Sequence, residues 1–261
     1  MNIPLRLSAA GITRVLLYGL GSLLLLNLAA AFFHTVLHMR AAAFSQLFDM
    51  DQEANMPTFY NCFLFFVGAA LFLLLGNTVP VGRARRGWYL MAAVFAFLGV
   101  DEGSQIHEKF MLVTLRLLHH GQQSGADFGW FYYAWVIPYG LAAIVLVMTL
   151  SRWLIALDAK LRSGLFVSGT IYVFGAVFME MFSGKIADGY TAMLTPAEQA
   201  YIPCEIYEPN TCHLYIHWGY IAAYSVEETC EMLGLILCAY ALLKAIERQQ
   251  LRFDVSFGPK A

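Results

Sequence analysis

Apolar residues run along this chain in blocks as long as a bilayer is thick, and the polar residues that interrupt them recur at helical spacing. Six blocks, at 14–34, 59–79, 87–112, 128–150, 163–184 and 213–244, reach the ~20 residues a helix needs to cross a hydrocarbon core. The pattern predicts an all-α fold, a polytopic membrane protein with a bundle of about six transmembrane helices forming one domain over 1–261. The first block is longer than the apolar core of a secretory signal, so a retained anchor is expected. In the last block, His213, His217, Tyr220, Tyr224, Glu227 or Glu228, and Glu231 follow at steps of three and four. At ~100° per residue they share one stripe. Carboxylates and imidazoles facing lipid would be costly, so this stripe must face protein, water or an ion.

Composition supports the reading: 59% of the 261 residues are hydrophobic and 13% charged, against about a quarter charged in soluble domains. The net charge of −2 carries little information because the charges are segregated. One side of the predicted topology holds 12 of the 16 Lys and Arg residues, including Arg83, Arg85, Arg86, Arg152, Lys160, Arg162, Lys244 and Arg248. By the positive-inside rule both termini are cytoplasmic, and the segments 35–58, 113–127 and 185–212 lie outside. All seven histidines fall on that outer side. Cys204 and Cys212 flank an outer segment and could pair in an oxidising compartment; Cys62, Cys230 and Cys238 read as packing residues. Basic residues are few and accounted for by topology, so no nucleic-acid partner is expected.

Depth estimates bring the acids together. At ~1.5 Å per residue, Asp101 and Glu102 lie about 22–24 Å above Arg86, Glu180 about 27 Å above Arg162, and Glu231 and Glu228 about 20 and 24 Å above Lys244. All share the outer third of a ~30 Å core. Within DEGSQIHEK a continuous helix would put Asp101, Gln105 and Glu108 on one face, stack Glu102 below Lys109, and turn His107 away. Three carboxylates in EETCEM would repel strongly, so protons or cations must be present. Carboxylates and imidazoles from several helices of a bundle are how di-iron and di-manganese centres are built, and zinc also takes these ligands. The His34/His38 pair reads as interfacial, whereas His213/His217 continues the stripe. FDMDQEANMPT lacks the glycine and later glutamate of a calcium loop. Residues 39–58 read as a short interfacial helix ending near Asp49, then a turn that lends Glu53 or Asn55 to the polar layer, with Pro57 opening the next helix. Pro138 is expected to bend the fourth span, and the aromatic run GWFYYAW reads as an interfacial belt.

Taken together, DQEANMPTFY at 51–60, GVDEGSQIHEK at 99–109, GAVFMEMFSG at 175–184 and VEETCEMLG at 226–234 are familiar. They resemble a group of multi-pass bacterial membrane proteins of unknown function with E-x-N-x-P-T, DE-x4-HE and EE-x2-E-M-x-G blocks. The resemblance implies a shared pattern of residues but no activity. A looser similarity to the alkaline ceramidase and adiponectin-receptor type of membrane hydrolase is an analogy only, because their His/Asp/Ser arrangement is not reproduced.

The expectation is a metal-dependent membrane enzyme, hydrolase or oxidoreductase, acting on a lipid or other apolar molecule from the outer half of the bilayer. It would sit in a bacterial inner membrane with its site towards the exterior. Expected metal ligands are Glu102, His107, Glu180, His213, His217, Glu228 and Glu231, holding a divalent metal or di-metal centre of Fe, Mn or Zn. Asp101, Glu108, Glu227 and Tyr224 are expected to act in catalysis. Membrane lipids are the expected partners, with a partner subunit or homo-oligomer also open. The alternatives are a proton-coupled transporter using the stripe as a relay and a non-catalytic subunit of a membrane complex. Against transport, positions 15–25, 89–97 and 233–243 offer almost nothing polar to complete a path.

Overall fold

The computed structural model describes residues 8–37, 42–121, 125, 127–193, 214 and 217–250. Their regular structure is helical: α1 (Ala9–Thr35), α2 (Ala42–Phe48), α3 (Met56–Thr78), α4 (Arg83–Ser104), α5 (Ile106–Leu118), α6 (Val136–Ala156), α7 (Ala159–Val173), a π segment (Phe174–Met179), α8 (Glu180–Met193) and α9 (Trp218–Arg248). Five stretches are long and apolar enough to cross a membrane: Ala9–Phe33, Met56–Thr78, Val136–Ala156, Ala159–Tyr190 and Trp218–Arg248. The remaining predicted span corresponds to α4, whose ends carry Arg83, Arg85 and Arg86 on one side and Asp101 and Glu102 on the other.

Local chemistry sets the helix ends. Ser8 caps α1 by accepting from the Gly11 amide, and Asn55 caps α3 by accepting from Thr58 at 3.1 Å, with Pro57 in the first turn. Asp158 caps α7 through the amides of Lys160 and Leu161. Three boundaries differ from the sequence pattern. The block 87–112 is not one helix, because Gln105 takes a left-handed conformation (φ 55°, ψ 42°) that separates α4 from α5. The fourth span begins at Val136, after a 3₁₀ turn at Gly129–Phe131. Pro138 therefore lies in the first turn of α6, where its missing N–H costs no intrahelical bond, so the expected bend has no cause there. Helix α9 begins at Trp218 rather than 213.

The helix α9 is the hub, packing on α1, α3, α7, the π segment and α8. Its buried residues, from Tyr220 and Ile221 through Met232, Leu235, Ile236 and Leu242 to Ala245, run its full length. Small residues allow the closest crossings. A Cβ on Gly175 would come within 2.7 Å of the Glu227 carbonyl oxygen, and one on Gly234 within 2.8 Å of the Tyr172 backbone nitrogen. Close backbone approach through small residues is how helices associate where apolar burial gives no advantage over lipid.

The chain ends with most basic residues converge. The amide of Ala9 donates to Glu247 at 2.5 Å, and Arg248 pairs with Asp158 at 3.4 Å. Trp88 of α4 meets Trp153 of α6 edge-on at 5.2 Å. The acidic loop Asp49–Asn55, the Gln105 break and the start of α9 lie at the helix ends away from this basic pole.

Replacing Gly175 with Leu should lower the unfolding free energy by about 1–3 kcal/mol through overpacking. Gly169→Ala, where nothing lies within 4 Å of the added carbon, should be neutral or slightly stabilising. Thermal unfolding of both variants in detergent measures the contrast.

Candidate metal centre

The lower tier of the site is built on α9. Glu227 and Glu231 are one turn apart, and one carboxylate oxygen from each of Glu227, Glu228 and Glu231 lies within 4.8 Å of the others. Glu227 and Glu231 are buried, as is Glu180 at the start of α8. Ser183 Oγ donates to Glu227 Oε2 at 3.0 Å and lies 3.1 Å from the Glu180 carbonyl. The Trp135 indole donates to Glu180 Oε1 at 2.9 Å. The π segment just before Glu180 widens the helix where Gly175 lies against Glu227 and Glu231, a deformation that recurs at functional sites.

The upper tier joins a loop to a helix start. One ligand atom from each of Glu53, His107 and Glu108 again lies within 4.8 Å of the others. Glu53 sits in a turn closed by Asn55, whose Nδ2 donates to the Asp49 carbonyl at 2.6 Å, and Ala54 adopts φ 59°. The Gln105 break aims His107 inward. Its amide donates to Asp101 Oδ1 at 2.8 Å, and its Nδ1 lies 3.5 Å from the same oxygen. Asp101 thus fixes the ring and leaves Nε2 as the nitrogen for a ligand, the arrangement that orients metal-bound histidines.

Glu102 connects the tiers. It accepts from Asn61 Nδ2 at 3.0 Å and is within electrostatic reach of Glu53, Glu228 and Glu231. Asn61 is fully buried, and its Oδ1 has no hydrogen-bond partner among the described residues. Burial raises the Glu53 carboxyl from 4.5 to about 8; Glu102 and Glu108 push the same way, while His107 and the Thr58 hydroxyl oppose.

Of the predicted ligands, Glu102, His107, Glu180, Glu228 and Glu231 belong to this layer. His213 lies outside the described residues, as do His38, Cys204 and Cys212. His217 is not grouped with the acids: its Nδ1 accepts from the Tyr220 amide at 3.1 Å as the cap of α9, and its ring packs 4.4 Å from Tyr190. Of the predicted catalytic residues, Glu108 stands beside Glu53, and Glu227 in the lower trio. Asp101 acts on His107, and the buried Tyr224 packs on the Tyr220 ring at 5.5 Å. Lys109 does not stack above Glu102; it donates to the Ser104 carbonyl, because the left-handed Gln105 breaks the helical register.

Sequence reasoning placed Tyr220 on the stripe but missed its neutral partner Tyr133 and the buried Asn27 and Asn61. Tyr220 OH donates to Asp51 at 3.0 Å and receives Tyr133 at 2.6 Å. Asn27, fully buried, donates to Ser225 and accepts from the Met50 amide. The signals were lone asparagines inside apolar runs and an aromatic run read only as a belt.

Fold and site together define an all-helical bundle with membrane-length apolar helices and two acidic groups whose geometry suits a metal ion. The chain belongs to the family described as "Domain of unknown function (DUF8692)", which matches residues 19–245. No curated protein and no solved structure matches it.

Between about pH 4.5 and 8 folded Glu53 holds a proton that the unfolded chain releases. The stability linked to it is present below 4.5 and is lost as pH rises through 8. Thermal unfolding of metal-free protein in chelator should show this decline, and Glu53→Gln should flatten it.

Proposed function

We propose that the chain is a metal-dependent integral membrane enzyme whose centre lies in the acid layer. The observation that carries this is the joining of Glu53, Glu102, His107, Glu228 and Glu231, from a loop and three helices, around the fully buried Asn61, whose Oδ1 has no hydrogen-bond partner among the described residues. So many carboxylates with so few donors favour a divalent cation over an array of shared protons. Mixed carboxylate and imidazole donors suit Fe, Mn or Zn, and two tiers are compatible with a di-metal centre.

A bound ion of this kind supplies Lewis acidity and lowers the pKa of water. Around it, Asp101 would hold His107 in register, and Ser183 and Trp135 would hold Glu227 and Glu180. Glu108, beside Glu53 and His107 in the upper tier, and Glu227, in the lower trio, are the groups proposed to move protons. The layer's place near one end of apolar helices favours a lipid or another apolar substrate arriving laterally, from the exterior leaflet of a bacterial inner membrane.

Elemental analysis of purified full-length protein reconstituted with each metal in turn tests the reading. Wild type should retain stoichiometric Fe, Mn or Zn, and Glu102→Ala and Glu228→Ala should each lose it while keeping their helical circular dichroism. Bound metal at ~100 times its Kd should add about 2.7 kcal/mol to the fold. Metal-free wild type that carries proton-linked flux in vesicles would overturn the proposal in favour of transport.

A further inference from the structure

Far from the acid layer, at the basic pole, α7 and α9 enclose a groove of about 340 Å³. Its walls follow helical spacing: Lys160, Ser163, Gly164 and Val167 on α7, and Leu237, Tyr240, Ala241, Lys244 and Arg248 on α9. The two helices touch where a Cβ on Gly164 would come 2.7 Å from Ala241 Cβ. The floor is therefore apolar, and the cations gather at one mouth, within a turn or two of the helix ends.

We propose that this groove seats one anionic phospholipid of the leaflet at the basic pole. The glycerol and upper acyl chain would lie over Val167, Leu237 and Ala241, and the phosphate among Lys160, Lys244 and Arg248. Tyr240, half-buried and beside Lys244 at 5.9 Å from ring to ammonium, suits the boundary between the two regions. The acids facing this mouth are Asp158, 3.4 Å from Arg248, and Glu247, 2.8 Å from Lys244. Both pairs are exposed and therefore hold their cations weakly. With Lys160 the mouth carries three cations against two acids among the described residues, so it favours an anion. Basic pockets between membrane helices recognise anionic headgroups through this combination of apolar wall and clustered charge. The site does not depend on the metal centre.

The test uses full-length protein in vesicles of phosphatidylcholine with phosphatidylglycerol, reading the association of spin-labelled lipids by electron paramagnetic resonance. Wild type should prefer labelled phosphatidylglycerol over labelled phosphatidylcholine by about fivefold or more, the effect expected for one basic residue near an anionic headgroup. The triple variant Lys160→Gln/Lys244→Gln/Arg248→Gln should bring the ratio close to one. Val167→Trp, which fills the floor and leaves the charges, should do the same. Arg83→Gln/Arg86→Gln/Arg152→Gln removes equal charge elsewhere at the same pole and should leave the preference in place. Equal losses in both triple variants would mean a general surface potential and overturn the proposal. Displacement of the labelled lipid by millimolar inorganic phosphate would overturn it as well, by making the site one for free anions.

Discussion

Carboxylates removed from water must find donors, protons or cations, and the architecture around α9 is a response to that requirement. Each described acid of the layer has been given something. Trp135 serves Glu180, Asn61 serves Glu102, Ser183 serves Glu227, and the His107 amide serves Asp101. Among the described residues these donors are few and neutral, whereas each ionised carboxylate can accept about four bonds. Glu228 and Glu231 stand in the same field, both facing Glu102 and Glu53, with Glu231 hydrogen-bonded to the Asn61 side chain. A wholly structural network would be expected to satisfy its members, and the fully buried Asn61 Oδ1 is a further atom left over. The shortfall is concentrated in one place, which is what the proposed cation would answer.

Helix geometry makes that concentration feasible. Gly175 lets the π segment reach the backbone of α9 at Glu227, and the extra residue per turn there delivers Glu180 at the top of the close crossing. Gly234 repeats the approach two turns further down against Tyr172 and Ser168. Between these contacts α9 cannot rotate, so the acids at 227, 228 and 231 keep a fixed direction. Below them the packing turns wholly apolar, with Phe72, Leu75, Trp88, Ala239 and Leu242 in one cluster. Among the described residues the polar layer thus ends abruptly towards the basic pole.

What the sequence disclosed follows from period and depth. Tyr220, Tyr224, Glu227 and Glu231 do share the buried face of α9, because a long unbroken helix preserves spacing over many turns. The nearness of Glu102 to Glu228, and of Glu180 to Glu227 and Glu231, agrees with the depths that residue counts give. The Gln105 break was not, since a non-glycine residue in the left-handed region leaves no compositional mark. That one residue turned His107 towards the site and Lys109 away from Glu102, reversing the helical-wheel reading of DEGSQIHEK. The role of Trp135 and Tyr133 was hidden for another reason. Aromatic residues near a helix start are ordinary interfacial features, and only tertiary packing shows which of them donate inward.

The loop that supplies Glu53 completes the argument about preorganisation. A carboxylate on a loop would ordinarily be the least fixed member of a site. Here the loop is held from three helices: Asn27 of α1 takes the Met50 amide, Tyr220 of α9 donates to Asp51, and Asn55 caps α3 while holding the Asp49 carbonyl. Ala54 pays for the tight turn with a left-handed backbone, a strain of order 1–3 kcal/mol that persists only where surroundings over-determine it. The turn sets Glu53 against His107 and Glu108, so that the upper tier is as fixed in position as the lower one.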